Sequence, residues 1–511
     1  MSGAPVLYGP DNRPISSGRA NAHGSYPVSR VAGGLRGTLS NWLVSRNNRY
    51  SERLERETIS DRAEDITGND PHAASVVDSI AINSVGTGLV PQSRPNAKYL
   101  NWSEEQSRDF QAQAEWAFHI WQQEADAAGR LNFWQICLLS AYSMLVRGEF
   151  FRIPIMLNRP EKTFSLAIQC VDPIRMYTPF DNTAAGIRDG IEFGKVGRPE
   201  AYWIANPEDG FISRNLAENS FSRIPAWVGH RPAAFHVFLA KAEEQIRGIS
   251  ILAPALKAFK DLNDYLDFEL VGAIVSASFP VFIESQDPSG MAAGFPSADS
   301  QEEKVKYQET APGQILYGNH GEKPHVLRTD RPGNTFGPFV ERILRGIGAS
   351  CGMPYEVVAK DFSKTNYSSA RAALLEAHRV YSIYQQWLID KFCQPVWKMV
   401  LEEAWLRGMI TLPEGSPDWY DAVHAYTRAA WIPPRKGHVD PSKEIDAFVK
   451  AKDHNLATIA DIAAETGRGD WEDLLEQRAR ERDRERENNI SPPSYEEDGA
   501  SEPEEKDEEF V

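Results

Sequence analysis

Cysteine is scarce in this chain. Cys137, Cys170, Cys351 and Cys393 are its four thiols in 511 residues, and no two stand at C-x-x-C spacing. Zinc fingers and thioredoxin-like pairs commonly use that spacing, which argues against both. Thiols this few suit a reducing compartment. Long apolar runs are missing as well. The longest, Leu270 to Ile283, is about 14 residues and holds Ser276 and Ser278. A membrane span needs about 20. The N-terminus, MSGAPVLYGPDNRPISSGRA, has no apolar stretch of the signal-peptide kind. The expectation is a soluble, intracellular protein. There is no G-x-x-x-x-G-K-[ST] string, hence no P-loop ATPase signature.

Positive charge is in deficit. Lys and Arg number 55 against 72 Asp and Glu, a formal net charge of -17. A protein that grips nucleic acid neutralises phosphates with Lys and Arg, which argues against a tight binder. A wall past which DNA must slide is compatible with the balance, because a basic wall would hold the DNA.

Apolar residues make up 41 % of the chain and aromatic ones 10 %. That is enough for two or three domains with a large core. The thirteen Trp run from Trp42 to Trp471, which points to dispersed packing and not one aromatic site.

Residues 1–40 are rich in Gly, Ser, Arg and Pro and read as an arm. Helical spacing covers Pro71 to Ser84, with an apolar side at Ala74, Val77, Ile80 and Ala81. It returns from Ser103 to Arg147 through Trp116, Ile120, Trp121, Phe133, Ile136, Leu139 and Leu145. At Gly148 the period changes to two. Phe150 to Met156 and Thr163 to Val171 read as a hairpin, and Gly190–Phe193 pairs with Ala201–Ile204 as another. A strand follows at Ala234 to Leu239.

From Ser250 the chain is helical again, with Ser250 as cap and Pro254 in the first turn. A helix is expected at Pro338 to Ile347, ending at Gly348, then a loop from Gly352 to Asn366. The longest helix spans Ser369 to Arg407 with Leu374, Leu375 and Tyr381 on its buried side, and Pro395 inside it should bend it. Shorter helices fill 438–487. The last residues are acidic and read as a disordered tail.

Few strings carry catalytic chemistry. Gly348-Ala349-Ser350-Cys351-Gly352 fits G-x-S-x-G, but that elbow needs a strand before it and a helix after it. Helical spacing precedes it here, so a small-residue helix end is the better reading. The pairs His230/His236 and His320/His325 lack helical spacing and an obvious carboxylate partner, which suits ordinary strand or loop histidines. Arg468-Gly469-Asp470 and Pro492-Pro493-Ser494-Tyr495 are short enough to arise by chance.

Several strings together resemble one family. Asp172-Pro173-Ile174-Arg175 follows the first hairpin. Gly190-Ile191-Glu192-Phe193 precedes Gly197-Arg198-Pro199-Glu200-Ala201-Tyr202-Trp203-Ile204. Phe235-His236-Val237-Phe238 leads to Gln245-Ile246-Arg247-Gly248-Ile249-Ser250. Gly352-Met353-Pro354-Tyr355-Glu356 precedes Asp361 and Asn366-Tyr367-Ser368-Ser369-Ala370-Arg371-Ala372. In this order, over roughly residues 50–410, they resemble the lambda-type portal proteins of tailed bacteriophages. The chain departs from that pattern at Ala242-Glu243-Glu244, where the family carries R-P-G, and the departure bears on the local turn.

The resemblance implies an α+β, predominantly helical ring subunit that is not an enzyme and needs no cofactor or metal. Twelve copies would form a homo-oligomeric ring at one capsid vertex, in the virion, assembled in the bacterial host cytoplasm. Double-stranded DNA would pass through it during packaging and ejection. Terminase, the major capsid protein or scaffold, and a head–tail connector would be its partners, with no membrane involved. After the arm at 1–40, it implies a wing at 41–249, a stem helix at 250–279 and a clip at 280–335. A second stem helix would occupy 336–350, and the channel loop and long helix 351–437. A crown at 438–487 would precede the tail at 488–511. Lys360, Asp361, Lys364, Asn366, Tyr367, Ser368, Ser369 and Arg371 become candidate channel-lining residues. Lys360, Lys364 and Arg371 are the candidate DNA-facing cations, and pairing of Arg371 with Glu376 is the local alternative. Two other readings stay open: a head–tail adaptor or internal scaffold, and a hydrolase using Ser350 or Cys351.

Overall fold

The structure is a computed structural model that describes residues 48–179, 186–206, 220–277, 281–285, 322–326, 336–434, 441–466 and 471–487. The expected arm at 1–40, most of the clip at 280–335 and the tail at 488–511 lie outside the described residues. So do His320, Arg468-Gly469-Asp470 and Pro492–Tyr495.

In chain order, α1 (Asn48–Asn69) and α2 (Pro71–Val85) lead to β1 (Val90–Ser93), α3 (Ala97–Leu100), α4 (Glu104–Gln123) and α5 (Phe133–Val146). Then come β2 (Glu149–Met156), β3 (Leu166–Val171), β4 (Ile187–Arg188), β5 (Ile191–Phe193), β6 (Pro199–Asn206) and β7 (Ser220–Pro225). The short β8 (Trp227–Val228) and β9 (Arg231–Pro232), then β10 (Phe235–Phe238), precede α6 (Leu256–Ala277). β11 (Val281–Ser285) and β12 (Glu322–Val326) come before α7 (Phe336–Cys351), α8 (Tyr355–Val358), α9 (Tyr367–Leu388) and α10 (Gln394–Leu406). The chain closes with α11 (Val423–Tyr426), β13 (Ala429–Ile432), α12 (Pro441–Asp453), α13 (Ile459–Glu465) and α14 (Trp471–Glu487). The fold is α+β and mainly helical, as expected.

Local chemistry sets several boundaries. Asp70 Oδ1 accepts from the backbone N–H of His72 and Ala73, and Pro71 starts α2 where its missing N–H costs nothing. Asn132 and Gln135 form a reciprocal capping box on α5. Asn366 Oδ1 accepts from Ser369 N–H at 2.9 Å and starts α9. Turns from Ile251 precede α6, which begins only at Leu256. Ser250 is committed elsewhere: its hydroxyl donates to the Leu145 carbonyl and accepts from Leu252 N–H. α7 runs past Ile347 to Cys351, and α8 sits inside the expected loop.

The chain divides into two compact units. Among the described residues, one takes those up to Ser84 and Trp121–Met399, the other Val85–Ile120 and those from Val400 onward. In the first, β10-β2-β3 form one antiparallel sheet and β4-β5-β6-β7 another. Phe151, Val171, Met176, Ile191, Tyr202 and Ile204 bury the shared apolar face. The Phe151 and Tyr202 rings meet edge to face at 5.1 Å. A second cluster gathers round Phe392, whose ring centroid lies 5.6 Å from Phe133, 5.5 Å from Phe150 and 5.4 Å from Phe235. In the other unit β1 pairs with β13, and Trp419 stacks between Trp405 and Tyr426 at 5.4 and 5.3 Å.

Three apolar stripes differ from the sequence reading. α2 buries Ala73, Val76, Val77, Ile80 and Ala81, with Ala74 at the edge. Trp116 and Leu139 are exposed, and Leu375 of α9 faces outward. Helical spacing fits more than one stripe in an apolar-rich helix, and only packing selects among them.

Ile389–Cys393 is a π-turn between α9 and α10, closed by Gln394 N–H bonding back to Ile389. Pro395 follows directly. Its ring would strike the carbonyl four residues back in a regular helix, and a widened turn relieves that clash. Helical backbone therefore continues from α9 through the π-turn into α10.

Gly148 and Gly248 bring two backbone segments into contact. A Cβ on Gly248 would lie 2.1 Å from the Gly148 carbonyl oxygen. One on Gly148, at φ +87°, would lie 2.2 Å from Ile249 N. Backbone on both sides leaves nothing to yield. Gly248→Ala is expected to destabilise the chain by more than about 2 kcal/mol in urea unfolding. A loss under about 0.5 kcal/mol would show that the contact tolerates a methyl group.

Candidate channel segment and buried charge cluster

Residues 348–352 end a helix. Met353 N–H donates to the Gly348 carbonyl at 2.8 Å and Gly352 N–H to that of Ala349 at 3.4 Å. With Gly352 at φ +71° this is a Schellman end. Ser350 Oγ donates to Ile347 O at 2.7 Å. Cys351 is buried, and burial pushes its thiol above the ordinary range. The strand-to-helix context of a nucleophile elbow is not met.

The candidate loop leaves this end through α8. Lys360 sits in left-handed backbone at φ 53°, and its Nζ donates to Ser79 Oγ of α2 at 2.6 Å. Asp361 Oδ1 accepts from the backbone and hydroxyl of Ser363, and these bonds hold its carboxyl below the usual range. Lys364 Nζ donates to Glu341 Oε2 of α7 at 2.7 Å, and Glu341 also takes Arg345 at 2.7 Å. Bonding to Lys364 and then Arg345 lowers the Glu341 pKa, while Lys364 is raised. Tyr367, Ser368, Ser369 and Arg371 are exposed on the first turns of α9. Glu376 pairs with Arg379 at 2.8 Å, not with Arg371. Of the three candidate cations, two are bonded within the chain. The Arg371 side chain has no ion pair or hydrogen bond among the described residues.

The sequence reading missed the strongest electrostatic feature. Glu149, at the start of β2, is buried, as is Arg247. Arg247 uses all five guanidinium N–H donors. Nε donates to Glu149, Nη1 to the carbonyls of Met176 at 3.2 Å and Asp189 at 2.7 Å, and Nη2 to Glu149 and to Pro173 O at 3.0 Å. Glu149 Oε2 also accepts from Gly248 N–H at 2.8 Å and His236 Nε2 at 2.9 Å. Arg56 of α1 approaches Glu149 at 3.8 Å and pairs with Asp189 at 3.1 Å.

Burial pushes the Glu149 carboxyl up, but Arg247 and the His236 bond outweigh it and hold the pKa well below the usual range. Burial depresses His236 despite its bond to Glu149. The imidazole is therefore neutral at pH 7 and donates from Nε2, so Arg247 balances the carboxylate charge. The resembling strings contain His236 and Arg247. Glu149 stood only as a charge between Gly148 and Phe150, and no local signal marked it as their partner.

Among the described residues, no group of three His, Cys, Asp or Glu could hold a metal ion, and no helix is long and apolar enough to cross a membrane.

The glycine contacts, the cluster and the two sheets all fall inside residues 37–385, which match the model of the phage portal proteins, lambda family. The chain belongs to that family. The portal protein of Escherichia phage N15 is 25 % identical over 518 residues, covering 96 % of this chain and 95 % of the relative. Portal protein B of Escherichia phage lambda is 24 % identical over 519 residues, with the same coverage. Among solved structures, the neck of a native gene transfer agent particle, computed with C12 symmetry, matches at TM-score 0.43 and 13 % identity. It covers 78 % of this chain and 92 % of that one. The virion of the native particle matches at TM-score 0.42 and 12 % identity, over 81 % and 93 %.

Arg247→Met would leave Glu149 buried without its counter-charge. A loss of about 3–5 kcal/mol at neutral pH is expected. In the wild type, Glu149 lies below its ordinary 4.5 and His236 below 6.5, so both contributions to stability are lost as pH falls. Without Arg247, burial instead raises the Glu149 pKa, and protonation relieves the variant. Its deficit should shrink between about pH 8 and about pH 5 in paired thermal melts. A constant deficit would place the effect in packing alone.

Proposed function

We propose that this portal protein closes into a ring of twelve copies at one capsid vertex, with double-stranded DNA passing through its centre in packaging and ejection. The observation that carries the reading is the family match across residues 37–385. Surface chemistry supports it. Phe268, Leu270, Val271 and Ile274 are all more than half exposed on the second half of α6, and Leu375 and Ile383 are so on α9. An isolated subunit leaves these side chains in water, and a neighbouring copy would cover them.

In this reading residues 41–249 are the wing, α6 and α7 the stem helices, 280–335 the clip and 438–487 the crown. The clip would dock terminase and then the head–tail connector, and capsid protein or scaffold would surround the wing. Assembly in the host cytoplasm would place the ring in the virion. The hairpin strands β2, β3, β5 and β6 weigh against an internal scaffold, which would be almost wholly helical.

The candidate loop suits a sliding contact. Lys360 and Lys364 are bonded to Ser79 and Glu341, so the loop is poor in free cations. DNA held by few released counterions moves past easily. Asn366, Ser368 and Ser369 would touch phosphate transiently, and Arg371 would supply the one open charge.

Native mass spectrometry is expected to find a closed ring near 12 × 57.2 kDa, about 690 kDa. A chain that stays monomeric across salt and concentration, and forms no ring with capsid protein, would overturn the proposal. Arg371→Ala is expected to keep the ring mass and alter DNA retention. If that variant forms no ring, Arg371 is an assembly residue and not a DNA contact.

A further inference from the structure

Two of the four thiols are neighbours. Cys137 of α5 and Cys393 of the π-turn are 256 residues apart in sequence, yet their Sγ atoms lie 3.7 Å apart. Both side chains are buried, 1 % and 0 % exposed. Cys170, on β3, and Cys351, at the end of α7, have no sulfur partner among the described residues.

We propose that Cys137 and Cys393 are a modification site at which hydrogen peroxide forms a disulfide, stapling α5 to the π-turn of the long helix. The chemistry balances in two steps. One thiol, as thiolate, attacks the peroxide oxygen, giving Cys–SOH and water. The second thiol then displaces the hydroxyl, forming Cys–S–S–Cys and a second water. Two electrons pass from the sulfur pair to the peroxide, and both thiol protons leave in water.

The geometry favours this pair. A disulfide needs about 2.0 Å between sulfurs, so the atoms must approach by under about 2 Å. Cys393 is the last residue of the π-turn, and its sulfur faces Cys137 of α5. Phe392, packed on Phe133 and Phe150, already holds that turn against α5 and β2. Burial sets the pace: it pushes the Cys393 thiol well above its ordinary range, so the thiolate forms only when the turn opens. Hydrogen peroxide is small and neutral enough to enter during such openings, whereas bulky disulfides are not.

This chemistry does not depend on the ring. The portal reading supplies an occasion, because a particle assembled in a reducing cytoplasm is released into an oxidising medium.

The test uses the full chain, reduced, freed of reductant and exposed to hydrogen peroxide while folded. Peptide mapping without reductant should find Cys137 linked to Cys393, with two of the four thiols lost and the intact mass lower by about 2 Da. The melting temperature should rise by about 3 °C or more and return on reduction, because a long loop is closed. Cys137→Ala combined with Cys393→Ala should abolish both effects, and if that variant fails to fold the wild-type map still decides. The proposal is overturned by added oxygen at either cysteine without the linked peptide. Four thiols surviving peroxide that consumes them in the unfolded chain, or a link that lowers the melting temperature, would also overturn it.

Discussion

The two sheets of the larger unit meet round the pairing of Glu149 with Arg247. Taking a carboxylate and a guanidinium out of water costs several kcal/mol each, and that cost is offset only if nearly every donor and acceptor finds a partner. Here Arg247 fills all five of its donors. Those partners come from β2, the turn after β3 and the turn between β4 and β5. One side chain thus fixes how two sheets meet, and it sits nine residues before α6. The Gly148–Gly248 contact belongs to the same constraint, since Gly248 N–H must reach Glu149. His236 completes the ring of partners as a neutral donor, so it adds no charge to the Glu149–Arg247 pair.

A second dependence runs through the long helix. Pro395 would break a regular helix, and the π-turn just before it absorbs the insult while keeping α9 and α10 continuous. The same turn presents Phe392 to Phe133, Phe150 and Phe235, so the irregularity is held by aromatic packing. It also places Cys393 against Cys137. A local accommodation of one proline therefore decides both how this helix joins the strands and which thiols meet.

Charge is used differently at the candidate loop. The chain has more acid than base, and Lys360 and Lys364 are bonded to Ser79 and Glu341. What remains is a segment of hydroxyls and amides with Arg371 open. In the proposed conduit such a surface would offer DNA brief polar contacts without a long residence.

The sequence by itself determined the element types over most of the chain. The change from helical to alternating spacing at Gly148, the hairpins at 150–171 and 190–204, the helix after Asp70 and the long helix after Asn366 all follow from local propensity and period, which act over a few residues. The resembling strings also carried the family. Tertiary structure alone decided which stripe each helix buries, since Trp116 and Leu375 have the right spacing and still face outward. It decided that Pro395 widens a turn, that two of three candidate cations are internally bonded, and that Glu149, His236 and Arg247 converge. Those outcomes depend on contacts between residues 79 and 360, 149 and 247, or 137 and 393. A buried charge or thiol acquires its partner only when distant segments are brought together, and no local pattern encodes that meeting.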